Sequence, residues 1–391
     1  MPQLDSLTKQ FASCPILIVD DEQLLRLMIS SLLETAGFNK FEFAENGAEA
    51  LEKIASFQPI CVIMDINMPV MNGREALTKI RSEEKTKELP VLVVTGHDDR
   101  DERNEILRSG ASNIISKPID GDILIERVTN LVERKLLSDQ LSEFHNRLTM
   151  ELSMASGMQV EAVPSSDRIR EIEEQYGVQI AAQFKPSSEL GGDYWALQTI
   201  DQSRFGVLLV DFCGHGISAA LNTFRLDMLI SRLGVCETTP AEYMATISAE
   251  LSEVLPSGQF CTMIYAIFDV KKKSLTYSGA AAPSPIIGSV NTGSVDVLDG
   301  SGLPIGITKN AKYNNNVVDF PNGSFFFIFS DALFETELGK DGVLEIEGVV
   351  ALAEKYRSEN AINSLNDVLS DFMKNAPDPI PDDLTTIWVS Y

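Results

Sequence analysis

Residues 60–69 read Ile60-Cys61-Val62-Ile63-Met64-Asp65-Ile66-Asn67-Met68-Pro69, an apolar run closed by one carboxylate and, four residues later, by a proline. A run without polar alternation belongs to a strand covered on both faces, the position of an inner strand in a parallel sheet. The pattern repeats outward in both directions. β-rich runs at Pro15–Val19, Phe41–Ala44, Ile60–Met64, Pro90–Thr95 and Asn113–Ser116 alternate with segments of helical period such as Leu24-Leu25-Met28-Leu32-Leu33. This alternation predicts a five-stranded, doubly wound parallel α/β sheet, whose ligand site lies beyond the carboxyl ends of the strands. Those ends carry Asp20-Asp21, Asp65, Thr95 and Lys117-Pro118.

Three carboxylates brought together repel one another unless a hard cation sits among them, and an all-oxygen donor set suits Mg²⁺. Asp65 stands alone after its strand, placed to act as a nucleophile that becomes an acyl phosphate. Thr95 and Lys117 are then the groups that meet the phosphoryl oxygens.

The series Val19-Asp20-Asp21-Glu22, Met64-Asp65-Ile66-Asn67-Met68-Pro69-Val70-Met71-Asn72-Gly73, Thr95-Gly96 and Ser116-Lys117-Pro118 resembles the receiver domain of two-component response regulators, which share the flavodoxin-like fold. The resemblance covers Cys14 to Asp122. It implies phosphorylation of Asp65 by a histidine kinase or phosphotransfer protein, with Asp20, Asp21, Asp65 and the Asn67 carbonyl around Mg²⁺. It departs at Ile114, where many receivers place an aromatic switch residue.

From Asp122 to about Gly157 the pattern turns helical. Leu124, Val128 and Leu131 follow one coiled-coil spacing, while Leu137, Leu141, Phe144 and Leu148 follow another that is out of register with it. A homodimer through this helix is the expectation, and His145 on it is a solvated residue. The domains are read as 1–122 (receiver), 123–164 (helical connector) and 165–391.

Beyond Pro164 the strand character returns at Gln179–Phe184, Phe205–Phe212, Thr262–Asp269, Ser274–Ser278, Ser324–Ser330 and Leu384–Tyr391, with long helices at Ile217–Leu233 and Pro240–Leu255. This mixture predicts an α/β sandwich, a different fold from the first half. Carboxylates again mark strand ends: Asp193 after Gly191-Gly192, Asp211, Asp331, and Asp382-Asp383 before the last strand. Acids at the ends of buried strands are costly unless they are paired or bind metal. With oxygen donors and only three histidines in the chain, Mg²⁺ or Mn²⁺ is favoured over zinc, and two such ions suit phosphoester hydrolysis.

The ordered set Glu189-Leu190-Gly191-Gly192-Asp193-Tyr194, Asp211-Phe212-Cys213-Gly214-His215-Gly216, Pro304-Ile305-Gly306, Ser330-Asp331 and Asp382-Asp383-Leu384-Thr385 looks like the type 2C, sporulation-phosphatase branch of metal-dependent serine/threonine phosphatases. The resemblance implies that Asp193, Asp211, Asp331 and Asp382 are metal carboxylates, with Asp383 the alternative to Asp382, and that Phe212 offers its backbone carbonyl. It also implies a phosphoserine or phosphothreonine substrate on an anti-sigma-factor antagonist. Departures stand at Ala196, Ala332 and Ala280-Ala281-Ala282-Pro283. The rival expectation is a phosphorylation-controlled adaptor that binds a sigma-factor or anti-sigma partner without hydrolysis.

Charge sets the remaining bounds. Lys and Arg total 32 against 57 Asp and Glu, a net −25 that argues against gripping nucleic-acid phosphates. Five cysteines form no CxxC pair, and no run reaches the ~20 apolar residues of a membrane span. With no secretory signal read in the first thirteen residues, the expected location is cytoplasmic.

Overall fold

Apolar strands need cover on each face, and the two halves of the chain find it in different ways. A computed structural model describes residues 11–96, 100–214, 216–234, 238–339 and 342–391. His97, His215 and Cys236 lie outside these described residues. The chain divides into two compact units, Met1–Leu148 and Thr149–Tyr391.

In the first unit, β1 (Pro15–Val19), β2 (Lys40–Ala44), β3 (Cys61–Asp65), β4 (Val91–Thr95) and β5 (Asn113–Ser116) form one parallel sheet in the order 2-1-3-4-5. This is the sheet expected from the sequence. β3 and β4 are buried at every position because helices cover both faces. One face packs Leu17, Val62, Met64 and Val93 against α2 (Gly47–Phe57) and α3 (Gly73–Ser82). The other packs Ile16, Ile18, Ile63 and Leu92 against α1 (Gln23–Thr35) and the start of α5 (Gly121–Ala162), while α4 (Arg100–Arg108) precedes β5. Asn46 and Asn72 cap α2 and α3 by accepting N–H bonds from the first turn, which fixes where these helices leave the ligand end of the sheet.

Helix α5 changes the reading of the connector. Leu124, Val128 and Leu131, the first of the two seams, are buried in the receiver core with Val132, so they serve as the last helical face of that fold. Leu137, Leu141, Phe144 and Leu148 of the second seam stay exposed. The slip between the two registers is therefore the point where the helix leaves its own core.

In the second unit, β7 (Asp193–Thr199), β8 (Arg204–Phe212), β9 (Cys261–Asp269), β10 (Ser274–Ala280) and β13 (Asn316–Asp319) form one antiparallel sheet. A second contains β6 (Gln179–Lys185), β11 (Ile286–Ser289), β12 (Val295–Val297), β14 (Ser324–Phe329) and β15 (Leu384–Ser390). Residues from both sheets, among them Trp195, Phe205, Phe268, Phe326 and Ile387, fill the space between them. The outer face of the first sheet is covered by α7 (Ile217–Leu233) and α8 (Pro240–Val254), and that of the second by α10 (Glu345–Tyr356) and α11 (Ala361–Met373). The result is the α/β sandwich expected, with two sheets inside and helices outside. α6 (Ser166–Tyr176) packs into the central core, and the short α9 (Ala332–Glu335) follows β14. Among the described residues no helix is long and apolar enough to cross a membrane.

Candidate functional site

The receiver centre gathers at the carboxyl ends of β1, β3 and β5. Asp20 and Asp65 are almost fully buried, and Lys117 reaches both, with Nζ 3.2 Å from Asp20 Oδ2 and 3.1 Å from Asp65 Oδ1. The remaining oxygens are also used: Asp65 Oδ2 accepts from the Asn67 N–H at 3.2 Å and Asp20 Oδ1 from the Glu22 N–H at 2.8 Å. Burial, aided by the Asp20 charge and opposed by Lys117, leaves the Asp65 carboxyl above its ordinary value. Burial works against the charge on Lys117, but its bonds to Asp65 and Asp20 outweigh this and hold it above its usual range.

Thr95 is buried at the end of β4, where its carbonyl accepts from the Lys117 N–H at 2.7 Å, and the Lys117–Pro118 peptide is cis. Asp21 and Asn67 are exposed at the rim. Ile114 is buried in the core of the sheet. Sequence reasoning missed Arg26, a buried side chain that donates to the Asp20 carbonyl at 2.6 Å and pairs with Glu45 at 2.9 Å. It also missed why Gly73 must be glycine: a Cβ there would overlap the Asp65 carbonyl oxygen.

The second centre lies where β7, β8, β14 and β15 meet. Antiparallel register sets Asp193 directly opposite Asp211. Asp193 is buried; its Oδ2 accepts from the Thr385 hydroxyl at 2.5 Å, while its Oδ1 has no hydrogen-bond partner. Burial, then the charge of Asp211, raises the Asp193 carboxyl well above its ordinary value. Asp211 is pushed up to about 8 by burial and by Asp331, Asp382 and Asp383. Asp331 is pushed up to about 6 by burial and by Asp382 and Glu335.

Asp331 and Asp382 line one cavity of about 180 Å³ with Glu335 and Thr336. Asp383 is placed differently. It is buried and accepts main-chain N–H bonds from Ser187, at 2.7 Å, and from Gly192. Phe212 is buried, and its N–H donates to the Gly192 carbonyl at 3.1 Å. Ala281, in the stretch that departs from the family pattern, holds a φ of 52°, a region that L-residues seldom occupy.

A cation fits this donor set. It is all oxygen, it contains a buried oxygen without a partner, and its acids raise one another's proton affinity, the signature of negative charge lacking a counter-charge. Among the described residues no three acidic, cysteine or histidine side chains already stand around one point. Two side chains support this centre in roles that the sequence did not reveal, although Ser330 stands in the Ser330-Asp331 motif. One is Ser330, whose hydroxyl donates to the Asp383 carbonyl at 2.8 Å and accepts from the Thr385 N–H at 2.8 Å; the other is Gln159 of α5, which bonds to Gly191.

Comparison with known proteins gives the same two halves. Residues 16–129 match the model of the response regulator receiver domain, and residues 201–391 match that of stage II sporulation protein E (SpoIIE). The chemotaxis protein CheY of Pseudomonas aeruginosa is 36% identical over 119 residues, covering 30% of this chain and 96% of CheY. The phosphoserine phosphatase RsbP of Bacillus subtilis is 26% identical over 162 residues, so that this chain spans 40% of the length of RsbP with 40% of its own. The SiaA-PP2C domain of Pseudomonas aeruginosa shares the fold, with a TM-score of 0.55 at 20% identity over 63% of this chain and 98% of that one. The chain thus belongs to the response regulator receiver family through its first half and carries a SpoIIE, PP2C-type phosphatase domain in its second.

Proposed function

We propose that phosphoryl transfer to Asp65 controls hydrolysis of a phosphoserine or phosphothreonine protein at the second carboxylate centre. The observation that carries this reading is the set of opposed acids, Asp193, Asp211 and Asp331, with a partnerless buried oxygen on Asp193. Asp193, Asp211, Asp331 and Asp382, with the Phe212 carbonyl, would hold one or two Mn²⁺ or Mg²⁺ ions. Such ions supply neutralisation of phosphoryl oxygens and water of lowered pKa. Asp383 instead holds the Ser187 and Gly192 amides and so fixes the loop before Asp193.

In the receiver, Asp20, Asp21, Asp65 and the Asn67 carbonyl would hold Mg²⁺. Asp65 supplies the attacking oxygen, and Lys117, 3.1 Å away, is placed to balance charge on the incoming phosphoryl group. A histidine kinase or phosphotransfer protein is the donor. The phosphoserine class is supported by the likeness to RsbP, and the anti-sigma-factor antagonist by the sequence resemblance. The exposed seam from Leu137 to Leu148 would pair two copies, and mass by light scattering tests this: a dimer is expected, and Leu141→Glu should make it a monomer.

The catalytic reading is tested by phosphate release from a phosphoserine protein. Release is expected to require Mn²⁺ and to be lost in Asp211→Asn; equal release by both proteins would overturn it. A second reading, binding of the partner without hydrolysis, draws on the absence of three converging donors among the described residues and on the alanines at 196, 281 and 332. It predicts a stable complex with a sigma-factor or anti-sigma partner and no phosphate release from a phosphoserine protein at saturating Mn²⁺.

A further inference from the structure

Between Gly157 and Ala162 the last turns of α5 pass the phosphatase centre, and one polar side chain there is buried. Gln159 is 2% exposed, while Met154, Met158 and Val160 around it are more than half exposed. An amide is buried at low cost only where its donors and acceptor find partners. Gln159 Oε1 accepts from the Gly191 N–H at 3.0 Å, and its Nε2 donates to the Gly191 carbonyl at 2.6 Å and to Thr223 Oγ1 at 3.2 Å. The Thr223 hydroxyl donates to the Ala220 carbonyl at 2.8 Å, which leaves its lone pairs for Gln159.

The pairing with Gly191 is what a neighbouring strand would provide. An antiparallel partner exchanges both an N–H and a C=O with the residue opposite. β7 begins only at Asp193, so Gly191 lies before the ladder, and the side-chain amide of Gln159 takes the place of the missing strand. From the other side the loop is held by Asp383, which accepts from the Gly192 N–H and would meet a Cβ on Gly191 at 2.7 Å. A Cβ on Gly192 would meet the Phe212 carbonyl oxygen at 2.9 Å. The two residues preceding Asp193 are therefore gripped between α5 and the cation centre.

Building on the cation centre assigned under the proposed function, we propose that Gln159 is a positioning residue for it: the end of α5 holds Gly191-Gly192-Asp193 in place through this amide, and the centre is assembled only while that turn is seated. A helix advances by about 1.5 Å and turns by about 100° per residue, so a shift of one residue would swing the amide away from Gly191. Gly191 is met by Gln159 of α5, which is itself braced by Thr223 of α7, and by Asp383 just before β15; of these only Gln159 belongs to the helix that runs on from the receiver core.

The test uses the full chain with Gln159→Met, which keeps the length of the side chain and removes its hydrogen bonds, and Met158→Ala as a control on the exposed face. Mn²⁺ binding is titrated by calorimetry, with the receiver's share read from Asp211→Asn, and amide hydrogen exchange is followed at Gly191 and Gly192. Gln159→Met should raise the Mn²⁺ concentration for half-saturation at the second centre by about tenfold or more, the scale of a lost support to a metal ligand, and should speed exchange at both glycines. Met158→Ala should change neither, and both variants should take up phosphate at Asp65 from acetyl phosphate as the unchanged chain does.

Wild-type Mn²⁺ binding in Gln159→Met overturns the proposal, even where exchange is faster, because the amide would then be a structural tie alone. A chain whose second centre binds no Mn²⁺ overturns it together with the cation site. Mn²⁺ binding without hydrolysis removes the catalytic reading and leaves the positioning role standing.

Discussion

The two acidic centres are built from the same residue type at the same kind of strand end, yet they settle their charge in different ways. In the receiver, Lys117 lies within about 3 Å of both buried carboxylates, and main-chain N–H groups take up further oxygens. In the second centre no ion pair among the described residues reaches Asp193, Asp211, Asp331 or Asp382, and burial with the charge of neighbouring acids raises the proton affinity of Asp193, Asp211 and Asp331. The receiver centre thus balances much of its own charge with Lys117 and main-chain N–H groups. The second is held by the surrounding fold against its own repulsion and gains most from a divalent ion or, failing that, from protons. Removal of the Lys117 charge should therefore weaken the first centre, and removal of an acid should relieve the second.

The largest expected effect is in the receiver. Asp65→Ala should abolish phosphoryl uptake from acetyl phosphate, measured by mass, and retained uptake would remove Asp65 as the acceptor. In the second centre, Asp211→Asn should lower phosphate release by about 10²-fold or more, the scale of a lost electrostatic stabiliser, while raising the melting temperature of the metal-free chain. A melting temperature that falls would contradict the relief of repulsion.

The next effect is on pH. Asp211, at about 8, and Asp331, at about 6, bind their protons more tightly in the folded chain than in the unfolded one. Stability from these groups is full below the ordinary carboxylate range and is lost as pH rises through about 6 and then about 8. The metal-free chain should melt higher at pH 6 than at pH 8, Asp211→Asn should flatten this dependence, and Mn²⁺ should stabilise more at pH 8 than at pH 6. Equal Mn²⁺ stabilisation at both values would argue against competition between ion and proton. The smallest effect tests the receiver side: Lys117→Met should cost about 1–2 kcal/mol in metal-free denaturant unfolding, the scale of leaving partly buried charges unpaired, and Mg²⁺ should restore part of it. No loss would mean that Lys117 does not settle the charge.

Both folds were legible in the sequence because their strands are long and strongly apolar, as at Cys61–Asp65 and Ser324–Phe329. The acids of both centres were visible as carboxylates interrupting or ending such runs. What was hidden has physical reasons. β7 is buried on both faces, so it shows no alternation, and its first residues read as a motif. β11 to β13 are too short for a period to register. Leu124, Val128 and Leu131 carry coiled-coil spacing, but that spacing also describes any helix with one apolar face, and here the face belongs to the receiver core.

Asp382 and Asp383 are adjacent and chemically identical, so only the fold distinguishes the one lining the cavity from the one bonded to amides. Gln159 acts on the main chain of a residue 32 positions away, and Arg26 on the Asp20 carbonyl six residues before it and on Glu45 from the next strand end; no local pattern marks either role.

The most direct test of the account is the rate of phosphate release from a phosphoserine protein at saturating Mn²⁺, measured on the full chain with and without acetyl phosphate, beside Asp65→Ala. Mn²⁺-dependent release is expected, at a rate that changes when the receiver is phosphorylated, with no such change in Asp65→Ala. A rate that is the same with and without acetyl phosphate, or a response that survives in Asp65→Ala, would contradict it.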